Sequence, residues 1–253
     1  MTAGDPQPRV RVYGTPEEVA AAAAARFVEL AQESVAERGA FSVALAGGST
    51  PRRVYELLAG PELSAQVSWP ATHVFFGDER CVPPDDPDSN YRMVNDALLS
   101  HIHIPAQNVH RIEGRGDAAA NASRYEDELR GLFGDANHPR FDLVMLGMGD
   151  DGHTASLFPR TAALAERRAW VAANWVEKLG AWRITLTAPA INAARHIMFL
   201  VNGAGKAARL REVFRGAQDP ERLPSQLIRP ADGTLEWLLD EAAAADLVEG
   251  RER

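Results

Sequence analysis

An imidazole flanked by carboxylates and glycines is a combination able to move a proton, and it occurs in FDLVMLGMGDDGHTASLFP, Phe141 to Pro159. Phe141 and the run Leu143 to Leu146 read as a strand buried on both faces. Gly147, Gly149 and Gly152 then break the regular backbone and permit close approach or positive φ. Into that gap fall Asp150, Asp151 and His153, with His153 as candidate base and Asp151 as its orienting partner. The spacing Gly147-x-Gly149-x-x-Gly152 also matches a dinucleotide fingerprint formally. Charge excludes that reading, because Asp150 and Asp151 put two negative charges where a pyrophosphate needs bare N–H groups.

Three other strand ends carry polar groups. FSVALA (Phe41 to Ala46) runs into Gly47-Gly48-Ser49-Thr50-Pro51, where Ser49 or Thr50 can cap and Pro51 starts a helix ending at Gly60. The free N–H groups and positive end of that helix suit an anion such as phosphate, with Arg52 or Arg53 as further donors. Thr72 to Phe76 ends in Gly77-Asp78-Glu79-Arg80-Cys81, which offers Arg80 as a second phosphate donor and Asp78 as a hydroxyl acceptor. The alternative for this trio is a solvated surface loop. Cys81, without a paired base, reads as packing. IMFLV leads into Asn202-Gly203-Ala204-Gly205-Lys206, which is no Walker loop but aims Lys206 at the same crest. Arg183 is the single charge in WRITL, either on a solvated face or a further donor. Of 27 basic residues only Lys178 and Lys206 are lysines, so each is a candidate for a task that suits a compact ammonium.

The elements that must position these groups follow in order. Val10 to Tyr13 reads as a strand. Thr15-Pro16-Glu17-Glu18 starts a helix that passes through six alanines to about Arg38 and ends at Gly39. Ser89-Asn90 caps a helix over Tyr91 to Leu99, Asn108 to Ile112 is a strand, and Asp117 to Phe133 is a helix with Tyr125, Leu129 and Leu132 on one side. Ala169 to Trp175, Trp182 to Leu186 and Ala194 to Val201 supply further strands. Leu223 to Pro230 is a loop, and Thr234 to Val248 is expected to be helical at least from Leu238, with Trp237 and Leu238 packing. Strands alternating with helices imply an α/β fold with a largely parallel sheet and helices on both faces.

Composition sets the outer limits. A chain of 253 residues can bury a sizeable core, and without a long linker it reads as a single domain over 1–253. A net charge of −8 argues against general binding to nucleic acid or anionic membranes. No apolar run has the length of a membrane span, and MTAGDPQPRV lacks a signal-peptide pattern, so a cytoplasmic location is expected. One cysteine excludes an internal disulfide and a cysteine-rich zinc site. No metal triad is visible. The residues alone therefore describe an enzyme without cofactor or metal acting on a small phosphorylated substrate.

At these motifs the chain resembles the 6-phosphogluconolactonase family, through LAGGSTPRRVYELL, FFGDERCVPPDDPDSNYRMV, LGMGDDGHTASLFP, RITLTAPAINAARHIMFLVNGAGKA and LPSQLIRP in that order. The resemblance implies a three-layer fold like that of glucosamine-6-phosphate deaminases and ribose-5-phosphate isomerases, and hydrolysis of 6-phospho-D-glucono-1,5-lactone to 6-phosphogluconate in the oxidative pentose phosphate pathway. It implies His153 as the general base for water and Asp151 as the residue that orients His153 or holds the sugar. Gly48, Ser49, Thr50, Arg80, Arg183 and Lys206 become the phosphate site, with Asp78 and Asn90 shaping the pocket. The implied partner is the sugar-phosphate lactone, and the implied assembly a monomer or weak homo-oligomer. Two stretches depart from the family pattern: Val176 to Ala181, where the family often has prolines, and the loop near Ser225-Gln226. The alternatives are a glucosamine-6-phosphate deaminase, disfavoured because the chain reads DGHTASLFP, and a non-catalytic sugar-phosphate sensor.

Overall fold

The computed structural model describes residues 8–134 and 136–248; MTAGDPQ, read above for its lack of a targeting pattern, falls outside the described residues. The strands are β1 (Arg9–Tyr13), β2 (Phe41–Leu45), β3 (Thr72–Phe76), β4 (Asp78–Arg80), β5 (Val109–His110), β6 (Leu143–Gly147), β7 (Val171–Val176), β8 (Ala181–Leu186), β9 (His196–Val201) and β10 (Thr234–Asp240). The helices are α1 (Pro16–Arg38), α2 (Ser49–Ala59), α3 (Pro61–Ser64), α4 (Asn90–Ala97), α5 (Ala118–Phe133), α6 (Ala188–Asn192), α7 (Ala207–Arg215) and α8 (Glu241–Val248).

Seven strands form one sheet in the order β1-β10-β9-β6-β2-β3-β5, every pair parallel. The physical reason is visible in the burial: β2, β6 and β9 are apolar along almost their whole length, as strands covered on both faces must be. α1 lies against α2 and α2 against α4, while α7 lies against α8, giving the expected layered α/β fold. β1 sits at the edge with Arg9, Val10, Arg11 and Val12 exposed.

Local signals account for most boundaries. Thr15 and Glu18 make a reciprocal capping box on α1, and Gly39 closes that helix in the left-handed conformation at φ 78°. Ser89 caps α4 and Asp117 caps α5 through their side chains. Among the described residues no helix is long and apolar enough to cross a membrane.

Four expectations need correction. Thr234 to Asp240 is a strand, and only Glu241 onward is helical. Leu238 and Leu239 favour a helix locally, but between β1 and β9 the backbone of this segment completes two parallel ladders. Tertiary pairing overrides propensity there. Second, β4, β8 and β7 leave the parallel sheet and form a separate antiparallel one, in the order β4-β8-β7. Third, α2 begins at Ser49, after Gly48 at φ 104°, and neither Ser49 nor Thr50 caps it with a side chain. Fourth, Leu132 is exposed while Tyr125 and Leu129 are buried.

Candidate active site

β9, β6, β2 and β3 are consecutive in the sheet, so their carboxyl ends bring Asn202 to Lys206, Gly149 to His153, Gly47 to Thr50 and Asp78 to Arg80 to one crest. Chain order reverses between β6 and β2, and a crevice at such a reversal is where open α/β sheets bind ligands. The cleft there has a volume of about 310 Å³, with His153, Asn90 and Lys206 among its walls. It adjoins a second hollow of about 390 Å³ that adds Asp151, Arg183 and Lys178. Gly48, Ser49, Thr50, Asp78, Arg80, Asn90, His153 and Lys206 line the first, so every residue that the family resemblance implied for the site borders one hollow or the other.

Two buried tyrosines hold the crest. The Tyr55 hydroxyl donates to the Ala46 carbonyl at 2.8 Å and accepts the Ala46 N–H at 3.0 Å. Tyr125 makes the same double contact with Phe76, at the end of β3. Burial pushes both phenols far above their usual range, so each stays a neutral donor and acceptor. No sequence signal marked these contacts, which join residues 9 and 49 positions apart.

Around the imidazole the geometry is tight. His153 Nδ1 lies 2.6 Å from Asp151 Oδ1, and the same oxygen accepts the His153 backbone N–H at 3.2 Å. That contact places the ring proton on Nδ1 and leaves Nε2 as the nitrogen available to a ligand. The ring stacks on Phe158 with centroids 4.1 Å apart. Gly149 is required by contact: a Cβ there would sit 2.1 Å from His153 Cε1 and Nδ1. Gly152 carries φ 83° and its carbonyl accepts both the backbone N–H and the hydroxyl of Ser225. Ala155 holds φ 47°, a costly conformation for a residue with a Cβ, within the same turn.

The two neighbouring carboxylates differ. The hydrogen bond from His153 holds Asp151 far below the usual carboxylate range, with its charge and the Lys178 ammonium acting the same way against partial burial. Lys178 Nζ is 3.1 Å from Asp151 Oδ2. Asp150 is 85% exposed and pairs with Lys206 Nζ at 2.5 Å, which lowers its carboxyl. Asp150 thus faces solvent and holds the lysine.

Cations gather on the opposite wall. Arg80 and Arg183 are direct cross-strand neighbours in β4 and β8. Among the described residues neither guanidinium has a carboxylate within salt-bridge distance. Arg80 donates to the Asp88 carbonyl and Arg183 to the Trp182 carbonyl. Burial and the charge of Arg80 lower the Arg183 pKa, as expected where two guanidinium groups face each other across a strand pair. Arg52 and Arg53, offered above as donors, instead pair with Glu56 and Glu17 on the surface and do not line the cleft.

Glu79 is not part of a solvated trio. It is 2% exposed, and its carboxylate accepts the backbone N–H groups of Arg80, Asn90 and Tyr91 and the hydroxyl of Ser89. Burial raises its pKa, opposed by those donors. This clamp fixes Asn90, whose amide donates to the Asp78 carbonyl and whose Oδ1 fills the space a Gly47 side chain would occupy. The Asp78 carboxylate accepts a hydroxyl, but that of Ser156 at 2.6 Å. Cys81 is half-buried with its thiol pushed up by burial, which is consistent with packing. Among the described residues no group of three or more His, Cys, Asp or Glu is placed to hold a metal ion.

An open α/β sheet with an imidazole–carboxylate pair and a cation wall at its switch point defines a class of small-anion enzymes rather than one member. The comparisons narrow it. The family described as glucosamine-6-phosphate isomerases/6-phosphogluconolactonase matches residues 14–237. The chain is 45% identical over 217 residues to a 6-phosphogluconolactonase of Nostoc sp., covering 85% of this chain and 88% of that one. It is 40% identical over 201 residues to a 6-phosphogluconolactonase of Haemophilus influenzae, covering 79% and 85%. The structure of 6-phosphogluconolactonase from Trypanosoma cruzi superposes with a TM-score of 0.87 at 32% identity, over 98% of this chain and 100% of that one. A monomeric glucosamine-6-phosphate deaminase, at 24% identity and a TM-score of 0.79 over 94% of this chain and 99% of that one, shares the fold. The chain belongs to the glucosamine-6-phosphate isomerase/6-phosphogluconolactonase family.

Proposed function

We propose that this protein hydrolyses 6-phospho-D-glucono-1,5-lactone to 6-phospho-D-gluconate in the oxidative pentose phosphate pathway, with His153 as general base. The observation that carries the reading is the His153–Asp151 pair at 2.6 Å in a cleft whose far wall holds Arg80 and Arg183 unpaired with carboxylates. The names of the relatives point the same way.

In this mechanism the phosphate lies between the N–H end of α2, behind Gly48, Ser49 and Thr50, and the cations Lys206, Arg80 and Arg183. Asp78 and Asn90, locked by Ser156 and the Glu79 clamp, shape the floor. His153 Nε2 takes a proton from water as its oxygen bonds to the lactone C1. Asp151 keeps the ring oriented and stabilises the imidazolium. The intermediate collapses with cleavage of the C1–ring oxygen bond, and the imidazolium returns the proton to the departing oxygen. The product carboxylic acid then ionises in water. A positioned base of this kind contributes about 10²- to 10⁴-fold. The same proposal treats the chain as one domain, cytoplasmic, monomeric or weakly associating, with the lactone as its partner.

The test is the loss of freshly generated lactone at mildly acidic pH, wild type against H153A, with the spontaneous opening measured in parallel. Wild type well above background and a folded mutant near it supports the reading. Wild type at background sinks the hydrolytic function, and turnover of glucosamine-6-phosphate instead would assign the deaminase reaction.

A further inference from the structure

The chain keeps 27 basic residues but only two lysines, and both are spent on the adjacent carboxylates beside the imidazole: Lys206 on Asp150 and Lys178 on Asp151. Lys206 lies in the family-like GAGK turn. Lys178 does not; it sits in Glu177–Leu179, the short turn joining β7 to β8, within the stretch that departs from the family pattern. We propose that Lys178 is a positioning residue for His153, acting through Asp151. This rests on the reading of His153 as the base.

The geometry is a three-member chain. Asp151 Oδ1 takes the imidazole at 2.6 Å, and Oδ2 takes the Lys178 ammonium at 3.1 Å. Each oxygen has its own partner, so the carboxylate plane is held from both sides and the ring is aimed by a braced group. An ammonium is suited to this, because it can engage one oxygen as a point charge while a guanidinium fork tends to take both. The turn that carries Lys178 is itself held: Gly180 closes it at φ 56°, the indole of Trp175 donates to Glu177, and Trp175 packs edge-on against Trp182 across the hairpin.

The brace also divides a charge. Lys178 and the imidazole share the Asp151 carboxylate, one at each oxygen, so loss of Lys178 leaves that charge to the imidazole alone. Other charged groups face His153: Asp78 and Arg80 from β4, Arg183 from β8, Lys206 ahead of α7, and Asp150 in its own turn. Among the described residues none of these cations pairs with Asp151, as Lys178 does. Its removal therefore changes the His153–Asp151 pair while Arg80, Arg183 and Lys206 keep their places.

The experiment is an NMR titration of the His153 ring in the ligand-free full-length protein, its signal identified by loss in H153Q. In K178M the titration is expected to move upward by roughly 0.2 to 0.7 of a pH unit, the range of an exposed ion pair. The displacement should shrink at about 1 M salt. The acid limb of kcat/KM for the lactone should move in step. A His153 titration within about 0.1 unit of wild type in K178M, or one moved downward, overturns the proposal, even if activity falls through the loop's shape. The titration needs no substrate, so it reads positioning independently: a wild type without lactonase activity would sink the hydrolytic function and leave this result standing.

Discussion

The cleft has two walls built on different physics. The crest of the parallel sheet is backbone made rigid: apolar strands, glycine turns, and two tyrosines that lock Ala46 and Phe76. It holds the imidazole where contact distances leave no slack. The small antiparallel sheet contributes charge, with Arg80 and Arg183 side by side and Lys178 at its hairpin tip. Its hairpin exposes Trp175, Leu179 and Trp182, whereas the ends of β2, β3 and β9 are buried. The difference teaches a division: rigid geometry comes from the crest, and positive charge comes from the wall.

The contrast can be broken most severely at the crest. Removal of the proposed base in H153A should cost about 10²- to 10⁴-fold in kcat with the fold retained by circular dichroism. G149A should approach that loss without removing a titratable group, about 10²-fold, since its Cβ must displace the ring by more than an ångström. A G149A enzyme with near wild-type kcat would contradict the close-contact account.

Substitutions in the wall should read differently. R80A and R183A are each expected to raise KM by roughly 10- to 100-fold, the worth of a charge-assisted hydrogen bond, with a smaller change in kcat. Their double mutant should cost less than the product of the two, since both face one anion. Equal falls in kcat with KM unchanged would show that the wall acts on the transition state instead.

Acid stability separates Asp151 from an ordinary surface carboxylate. Its folded pKa is depressed, so the stability it contributes is fully present above its unfolded value near 4 and is lost as pH falls through the folded value. Urea unfolding between pH 5 and 2.5 should show D151N losing less stability than wild type over that window. Parallel curves would refute the coupling. The smallest effect lies away from both walls: Gly131 in α5 has open space and no positive φ, so G131A should raise stability by about 0.5 to 1 kcal/mol without changing kcat.

Much of this was legible beforehand because it is local. Thr15 with Glu18, Ser89 and Asp117 announced helix starts through their own side chains. The polar turns announced the crest because glycine after an apolar strand has few other uses. What failed was whatever depended on a distant partner. TLEWLLD reads as helix until β1 and β9 lie on either side of it. DER looks solvated until Asn90 and Tyr91 bring their N–H groups to Glu79. Arg52 and Arg53 look like phosphate donors until the helix rotation turns them toward Glu56 and Glu17.

The sequence by itself determined which residue types stand at the strand ends, and so the chemistry available there, because turn and cap preferences act within a few residues. Only the tertiary structure decided that Lys206 pairs with Asp150, that β4 leaves the main sheet to set Arg80 beside Arg183, and that Lys178 reaches Asp151 from 27 positions away. Those outcomes depend on strand pairing and on distances across the cleft, which no short window of sequence contains.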